Sequence, residues 1–162
     1  MNPLVVLKKS KDWASFKKQL ELLDNNKDKG DCFEVLTQYY LKLHPTYATT
    51  LEHVWNINKD EVPAAVHRKL NLPIPDEGID LLAQTKEGDY WAIQCKYKSD
   101  ESQSLTRKEL STFTELSFTI CNGISLGMVC TSVDRFSPKL KLYDDKLTFC
   151  SGERWRELDK EF

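Results

Sequence analysis

Gly78-Ile79-Asp80 stands one short turn ahead of Gln94-Cys95-Lys96. An aspartate near the start of one strand, followed by Gln-x-Lys on the next, is a set of groups able to hold a divalent cation beside a phosphodiester. Hydrolysis of that linkage asks little covalent chemistry of a protein: placed metal, a water nucleophile and one cationic side chain suffice. Asp80 offers an anionic oxygen to a hard ion such as Mg²⁺, with Mn²⁺ as its substitute. The amide oxygen of Gln94, or the backbone carbonyl of Cys95, completes the protein's share of ligands. Lys96 then polarises the attacking water or meets the charge that develops on the phosphate.

Strand alternation puts Gln94 and Lys96 on one face and Trp91, Ile93, Cys95 and Tyr97 on the other. Whether Asp80 joins the first pair depends on the intervening turn. A two-residue loop at Glu87-Gly88 sets Asp80 against Cys95. A three-residue loop, Lys86-Glu87-Gly88 with the glycine left-handed, sets it against Gln94, and the glycine's place favours that version. The competing reading is a solvated cross-strand ion pair, worth about 0.2–1 kcal/mol. Against it, Asp80, Gln94 and Lys96 interrupt apolar runs, where a polar group is costly without a partner or a function. Glu34 has two readings as well. It is either a carboxylate reaching the metal from a helix beside the sheet, or the far half of an Asp31-x-x-Glu34 capping box.

Placing these groups falls to an alternating set of helices and strands. Trp13, Phe16, Leu20 and Leu23 share a helical face over 11–24, and Asn25 to Gly30 reads as a polar break. A second helix runs from Asp31 through Phe33, Leu36, Tyr40 and Leu43, until Pro45 stops it. Residues 46–57 read as a strand, and 58–75 as a proline-punctuated loop with a helical turn near 64–70. Residues 79–85 and 90–97 form the hairpin. Thr106-x-x-Glu109 opens a helix to about Phe118. Residues 124–132 and 146–150 are the last strands, and 153–162 is a closing helix whose Trp155, Leu158 and Phe162 share a face. The expected architecture is α/β, a single domain over 1–162 with a central mixed β-sheet flanked by helices. Residues 1–26 form an N-terminal helical extension, and the closing helix leads toward a further domain.

The strings Asp76-Glu77-Gly78-Ile79-Asp80-Leu81-Leu82-Ala83 and Trp91-Ala92-Ile93-Gln94-Cys95-Lys96-Tyr97 resemble the core of the PD-(D/E)XK nucleases. The likeness is to the Mrr-like branch, which carries Gln-x-Lys where the wider superfamily has an acidic residue. Lys29-Gly30-Asp31-Cys32-Phe33-Glu34 is similar to that family's first-helix motif, whose glutamate joins the metal site. Leu105 to Phe113 resembles the helix after the catalytic strand. The chain is also similar to the N-terminal nuclease domains of single-chain type ISP restriction-modification enzymes. The resemblance implies a restriction-endonuclease-like αβα core and Mg²⁺-dependent cleavage of double-stranded DNA. It implies Glu34, Asp80, Gln94 and the Cys95 carbonyl as metal ligands and Lys96 as the catalytic cation. Helicase and methyltransferase modules would follow in the same polypeptide, and cutting both strands would need a dimer or a transient pairing. Gln94 removes a negative charge from the site, which bears on how many ions it holds. A nuclease-like module that docks or binds DNA without cutting is the alternative.

Composition restricts the other classes. The formal net charge is −2, so attraction to DNA must come from a local basic patch rather than the whole molecule's field. Lys98, Arg107 and Lys108 form such a strip or, equally, a solvated charged loop, since Asp100 and Glu101 lie between them. The five cysteines form no CxxC pair, which fits reduced thiols in a cytoplasmic protein and excludes a zinc frame. His44, His53 and His67 lack metal-ligand spacing. No Walker loop is present, so this chain is not a motor, and Leu4 to Leu7 is too short to span a membrane.

Overall fold

The computed structural model describes residues 1–137 and 145–158. Lys139 and Lys141, which read in the sequence as plain surface, and Phe162 at the end of the closing helix lie outside those residues.

A short helix that the sequence did not announce, α1 (Pro3–Lys8), is capped by the Asn2 side chain. α2 (Trp13–Glu21) opens on a reciprocal capping box between Asp12 and Ser15 and buries Trp13, Phe16 and Leu20, the face its periodicity predicts. α3 (Asn26–Leu43) differs from expectation in a way that matters for the site. Its cap is Asn25, whose side chain accepts from the Asp28 N–H, so the supposed polar break is the helix's first turn and a half. Asp31 therefore caps nothing. It pairs with Lys27 one turn back at 3.1 Å, and Glu34 sits mid-helix, only 8% exposed. A single turn, α4 (Pro45–Ala48), takes the start of the predicted strand, because Pro45 suits a first helical position and His44 caps it.

The sheet follows as β1 (Leu51–Asn56), then α5 (Ala64–Leu70) in the predicted place, then β2 (Leu81–Thr85) and β3 (Tyr90–Lys96). A two-residue strand β4 (Ser104–Leu105) leads into α6 (Arg107–Glu115), whose Thr106–Glu109 capping box forms as expected. A π-helical turn (Leu116–Ile120) carries the chain to β5 (Ile124–Thr131), and β6 (Arg135–Phe136) pairs with β4. β7 (Leu147–Cys150) and α7 (Gly152–Glu157) end the described chain. The main sheet has the order β1-β2-β3-β5-β7. Its β1–β2 and β2–β3 pairs are antiparallel and its β3–β5 and β5–β7 pairs parallel, so it is mixed.

Each face of the sheet has its own core. Leu81, Ala83 and Ile93 pack with Phe16, Phe33, Leu41 and Trp155 under α2, α3 and α7. Leu82, Ala92 and Val129 pack with Leu70, Leu110 and Phe113 under α5 and α6. This is a three-layer αβα arrangement. Trp91, Cys95 and Tyr97 lie against the first core, as alternation along β3 requires.

Two glycines fix the hairpin. Gly88 has φ +97 and closes a three-residue loop, with the Thr85 N–H donating to the Asp89 carbonyl at 2.8 Å. That turn sets the register Leu81↔Ile93, where the regular pairing ends; the Asp80 N–H also donates to the Ile93 carbonyl, so the expected pairing of Asp80 with Gln94 is not part of the ladder. Gly78 has φ +139, and a Cβ there would stand 2.9 Å from Thr112 Cγ2 on α6. Only glycine accepts both that conformation and that approach.

Candidate active site

β2 does not run smoothly into Asp80. Thr85 and Asp89 are a hydrogen-bonded pair, so by alternation the Ile79 carbonyl should receive the Cys95 N–H. Instead Ile79 turns its side chain into the α6 core, and Asp80 Oδ2 accepts that N–H at 2.8 Å. The backbone of Asp80 is tied on both sides: its N–H donates to Ile93 O and its carbonyl accepts from Ile57 N, each at 3.0 Å. The carboxylate thus stands in for a missing ladder acceptor, at the margin of the sheet rather than squarely on Gln94's face.

α3 brings Glu34 to the same place. A residue that carries no signal in the sequence joins them: Asn58, in the turn after β1. Its Nδ2 donates to Glu34 Oε1 at 2.7 Å and to Asp80 Oδ1 at 3.2 Å, so one amide bridges the two carboxylates. Its Oδ1 accepts from the Asp76 N–H at 2.7 Å. Burial, and then the charge of Asp80, push the Glu34 carboxyl up to about 8. Burial also raises Asp80, against the opposing pull of the Cys95 N–H, Asn58 and Lys96. Two neighbouring carboxyls withdrawn from water in this way favour sharing a proton unless a cation replaces it.

Gln94, 7% exposed, carries a buried Oε1 that accepts no hydrogen bond. Lys96 follows at the half-buried end of β3 and acts electrostatically on Asp80. The open cleft over these groups has a volume of about 580 Å³. It is lined by six carboxylates (Asp31, Glu34, Asp76, Glu77, Asp80, Glu109) and two lysines (Lys27, Lys96). Such a wall repels a phosphate unless positive charge is added.

The residues present suit a hard divalent ion. The donors are oxygens, two of them carboxylates with raised affinity for protons, and one is a buried amide oxygen lacking a partner. Among the described residues no cluster of three or more His, Cys, Asp or Glu could hold a metal. Any ion here therefore relies on Glu34 and Asp80 with neutral oxygens, a sparse set that leaves room for retained waters, as Mg²⁺ prefers.

The basic strip is divided by the fold. Lys98 Nζ pairs with Glu109 at 2.9 Å and also donates to the Ser104 carbonyl at 3.2 Å, so its charge is spent in locking the start of α6. Arg107 and Lys108 are exposed in the first turn of that helix. Four thiols are shifted away from the nucleophilic thiolate: burial pushes Cys32 and Cys121 up to about 11, and Cys95 and Cys130 also lie above the ordinary range.

A mixed sheet between helical layers, with paired carboxylates and a lysine at the margin of its hairpin, defines a nuclease-like α/β domain. A family model described as "Restriction endonuclease" matches residues 42–148, well over half of the chain. The chain belongs to that restriction endonuclease family. The matched segment contains Asn58, Asp80, Gln94 and Lys96 and begins after Glu34.

Two solved structures are similar. The ATP-dependent type ISP restriction-modification enzyme LlaBIII bound to DNA aligns over 86% of this chain at 24% identity, with a TM-score of 0.62. The MspJI restriction endonuclease in complex with a 27-mer oligonucleotide is a looser match, over 88% of this chain at 15% identity and a TM-score of 0.37. This chain spans 8% of the first protein's length and 34% of the second's. No curated protein sequence matches it. Among the described residues no helix is long and apolar enough to cross a membrane.

Proposed function

We propose that this domain is a divalent-cation-dependent endodeoxyribonuclease, the cutting module of a restriction-modification enzyme. The observation that supports this best is the Glu34–Asp80 pair, a buried and a half-buried carboxylate held side by side beside the partnerless oxygen of Gln94. Glu34 and Asp80 would hold Mg²⁺, with Gln94 Oε1 and the Cys95 carbonyl completing the protein's ligands, and Mn²⁺ would substitute. When bound, the ion supplies Lewis acidity toward the phosphate and neutralises the cleft.

The chain's own groups do the rest. Lys96 Nζ places a mobile positive charge at the cleft floor, where it meets the charge that builds on the phosphate oxygens or orients the attacking water. Among the described residues Lys96 is in no ion pair, whereas Lys98 is consumed by Glu109. Lys98 therefore serves by fixing α6, so that the exposed Arg107 and Lys108 meet the DNA backbone. Recognition of a target sequence belongs to other modules, helicase-like and methyltransferase-like, of a longer polypeptide. Cutting both strands of the double-stranded substrate calls for two copies acting together.

The test is nicking of supercoiled plasmid with Mg²⁺ or Mn²⁺, wild type beside Lys96→Ala. The wild type is expected to nick, and the variant to lose about a hundredfold or more in rate, the effect typical of removing one charge-stabilising group. Equal rates from the two proteins would refute Lys96's role. Saturable Mn²⁺ binding lost in Asp80→Asn, read by calorimetry, separates a cutting module from one that only docks.

A further inference from the structure

Among the described residues, Asn58 is the one side chain that hydrogen-bonds both carboxylates. It comes from a turn built with care: Ile57 N–H donates to Asp80 O, Asn56 Oδ1 accepts from Lys59 N–H, and Asp60 sits left-handed at φ +57. On its far side it holds Asp76, itself left-handed at φ +64, just ahead of Gly78. Asn58 therefore joins three separate pieces of chain: mid-α3, the turn after β1, and the lead-in to β2.

Its orientation is settled by its partners. Oδ1 faces a backbone N–H, which only an acceptor satisfies, so Nδ2 must face the carboxylates. A neutral donor then stands between two anions, and it occupies one oxygen of each. Among the described residues Glu34 Oε2 receives no hydrogen bond, Asp80 keeps a lone pair on each oxygen, and Gln94 Oε1 is also unused. Asn58 leaves open the oxygens that a cation would take, while holding the two side chains from springing apart.

We infer that Asn58 is a positioning residue of the cation site, the tie that keeps Glu34 and Asp80 at a common separation before the ion arrives. This rests on the reading of the cleft as a metal site. Partners that orient ligating carboxylates typically contribute 10–100-fold in metal affinity.

The experiment is Mn²⁺ titration of the DNA-free protein by calorimetry, with folding checked by circular dichroism, for wild type, Asn58→Leu, Asn58→Asp and Asp80→Asn. Asn58→Leu removes the bridge at similar volume and is expected to weaken binding about 10–100-fold. Plasmid nicking by that variant should recover toward the wild-type plateau once Mn²⁺ is raised to match. Asn58→Asp keeps an acceptor for the Asp76 N–H but replaces the bridging donor with a third anion facing Glu34 and Asp80, so the metal-free melting temperature, read by circular dichroism, should fall by several degrees.

A residue that merely holds Asp76 in place would leave Asn58→Asp melting at the wild-type temperature without metal, and that result would overturn the inference even if Asn58→Leu failed to fold. Wild-type-like affinity in a folded Asn58→Leu, with Asp80→Asn binding nothing, would overturn it while leaving the metal site standing. Absence of saturable binding in the wild type would overturn both.

Discussion

Asp80→Asn is expected to reduce metal-dependent nicking about a thousandfold or more, with the metal-free melting temperature changed by only a few degrees. The activity loss follows from charge. Under the proposed function, one of only two anionic ligands would disappear from a site already short of them because position 94 is a glutamine. Several kcal/mol of cation-supplied stabilisation, at about 1.4 kcal/mol per factor of ten, gives a loss of that size. The fold survives because asparagine keeps an oxygen for the Cys95 N–H, the bond by which Asp80 completes the β2–β3 ladder. Asp80→Ala is the poorer choice. It leaves a backbone donor without a partner, at about 1–3 kcal/mol, and mixes a stability defect into the catalytic one. Plasmid nicking beside thermal melting checks the pair of outcomes. An Asp80→Asn protein that cuts at the wild-type rate would remove Asp80 from the chemistry.

The second large effect is on stability, and it depends on pH. Glu34 is neutral in the folded, metal-free protein up to about pH 8, whereas in the unfolded chain it ionises near the ordinary 4.5. Between those values the folded state binds more protons than the unfolded one, so stability falls as pH rises. It is fully present below about 4.5, is lost as pH climbs through about 8, and is level beyond. Asp80, raised in the same direction, acts with the same sign. The exposed carboxylates lowered by local hydrogen bonds, such as Asp12 and Asp100, act in the opposite sense and only toward acid. Cys32 and Cys121, near 11, lie above the window.

The metal-free melting temperature is therefore expected to decline from about pH 5 to about pH 8, a slope set by the upward displacement of Glu34. Mn²⁺ should restore most stability at the alkaline end, where it no longer competes with protons, by the mass-action gain of a ligand that binds only the folded state. Glu34→Gln should flatten the curve, raise the melting point near pH 8 and abolish the response to Mn²⁺. Melting curves across that range, with chelator and with Mn²⁺, decide it. A flat profile in the wild type would show that Glu34 is charged and satisfied without a cation.

The hairpin was the most legible part of the molecule, because period-two alternation and a glycine at the third loop position leave little choice of register. Both were local signals, and the pairing Leu81↔Ile93 agrees with them. Trp13, Phe16 and Leu20 declared α2 in the same way, and Thr106 with Glu109 declared α6. The start of α3 was misread because Asn25 to Gly30 has the composition of a break. Asn25 caps the helix, and tertiary packing of Phe33, Leu36 and Tyr40 carries the polar turn along. That shift changes the standing of Glu34, since a mid-helix buried carboxylate needs a partner that an exposed capping residue does not.

Asn58 was hidden for a different reason. It lies in an aperiodic loop, and its three partners are distant in sequence, so nothing short of the folded backbone connects it to Asp80. Lys98 shows the converse. Its charge was visible, but its ion pair with Glu109 was not, because that contact exists only once α6 has docked beside β3.

The carboxylates come from different layers: Glu34 rides on a helix, while Asp80 and Lys96 belong to a hairpin that local contacts alone can close. Under the proposed function, this separation governs timing and safety. A chain whose α3 has not docked, or has loosened, owns the hairpin but only half of the ligand pair. Its capacity to damage DNA arrives with the docking of α3 and departs with it, so a copy misfolded there is disarmed without any inhibitor.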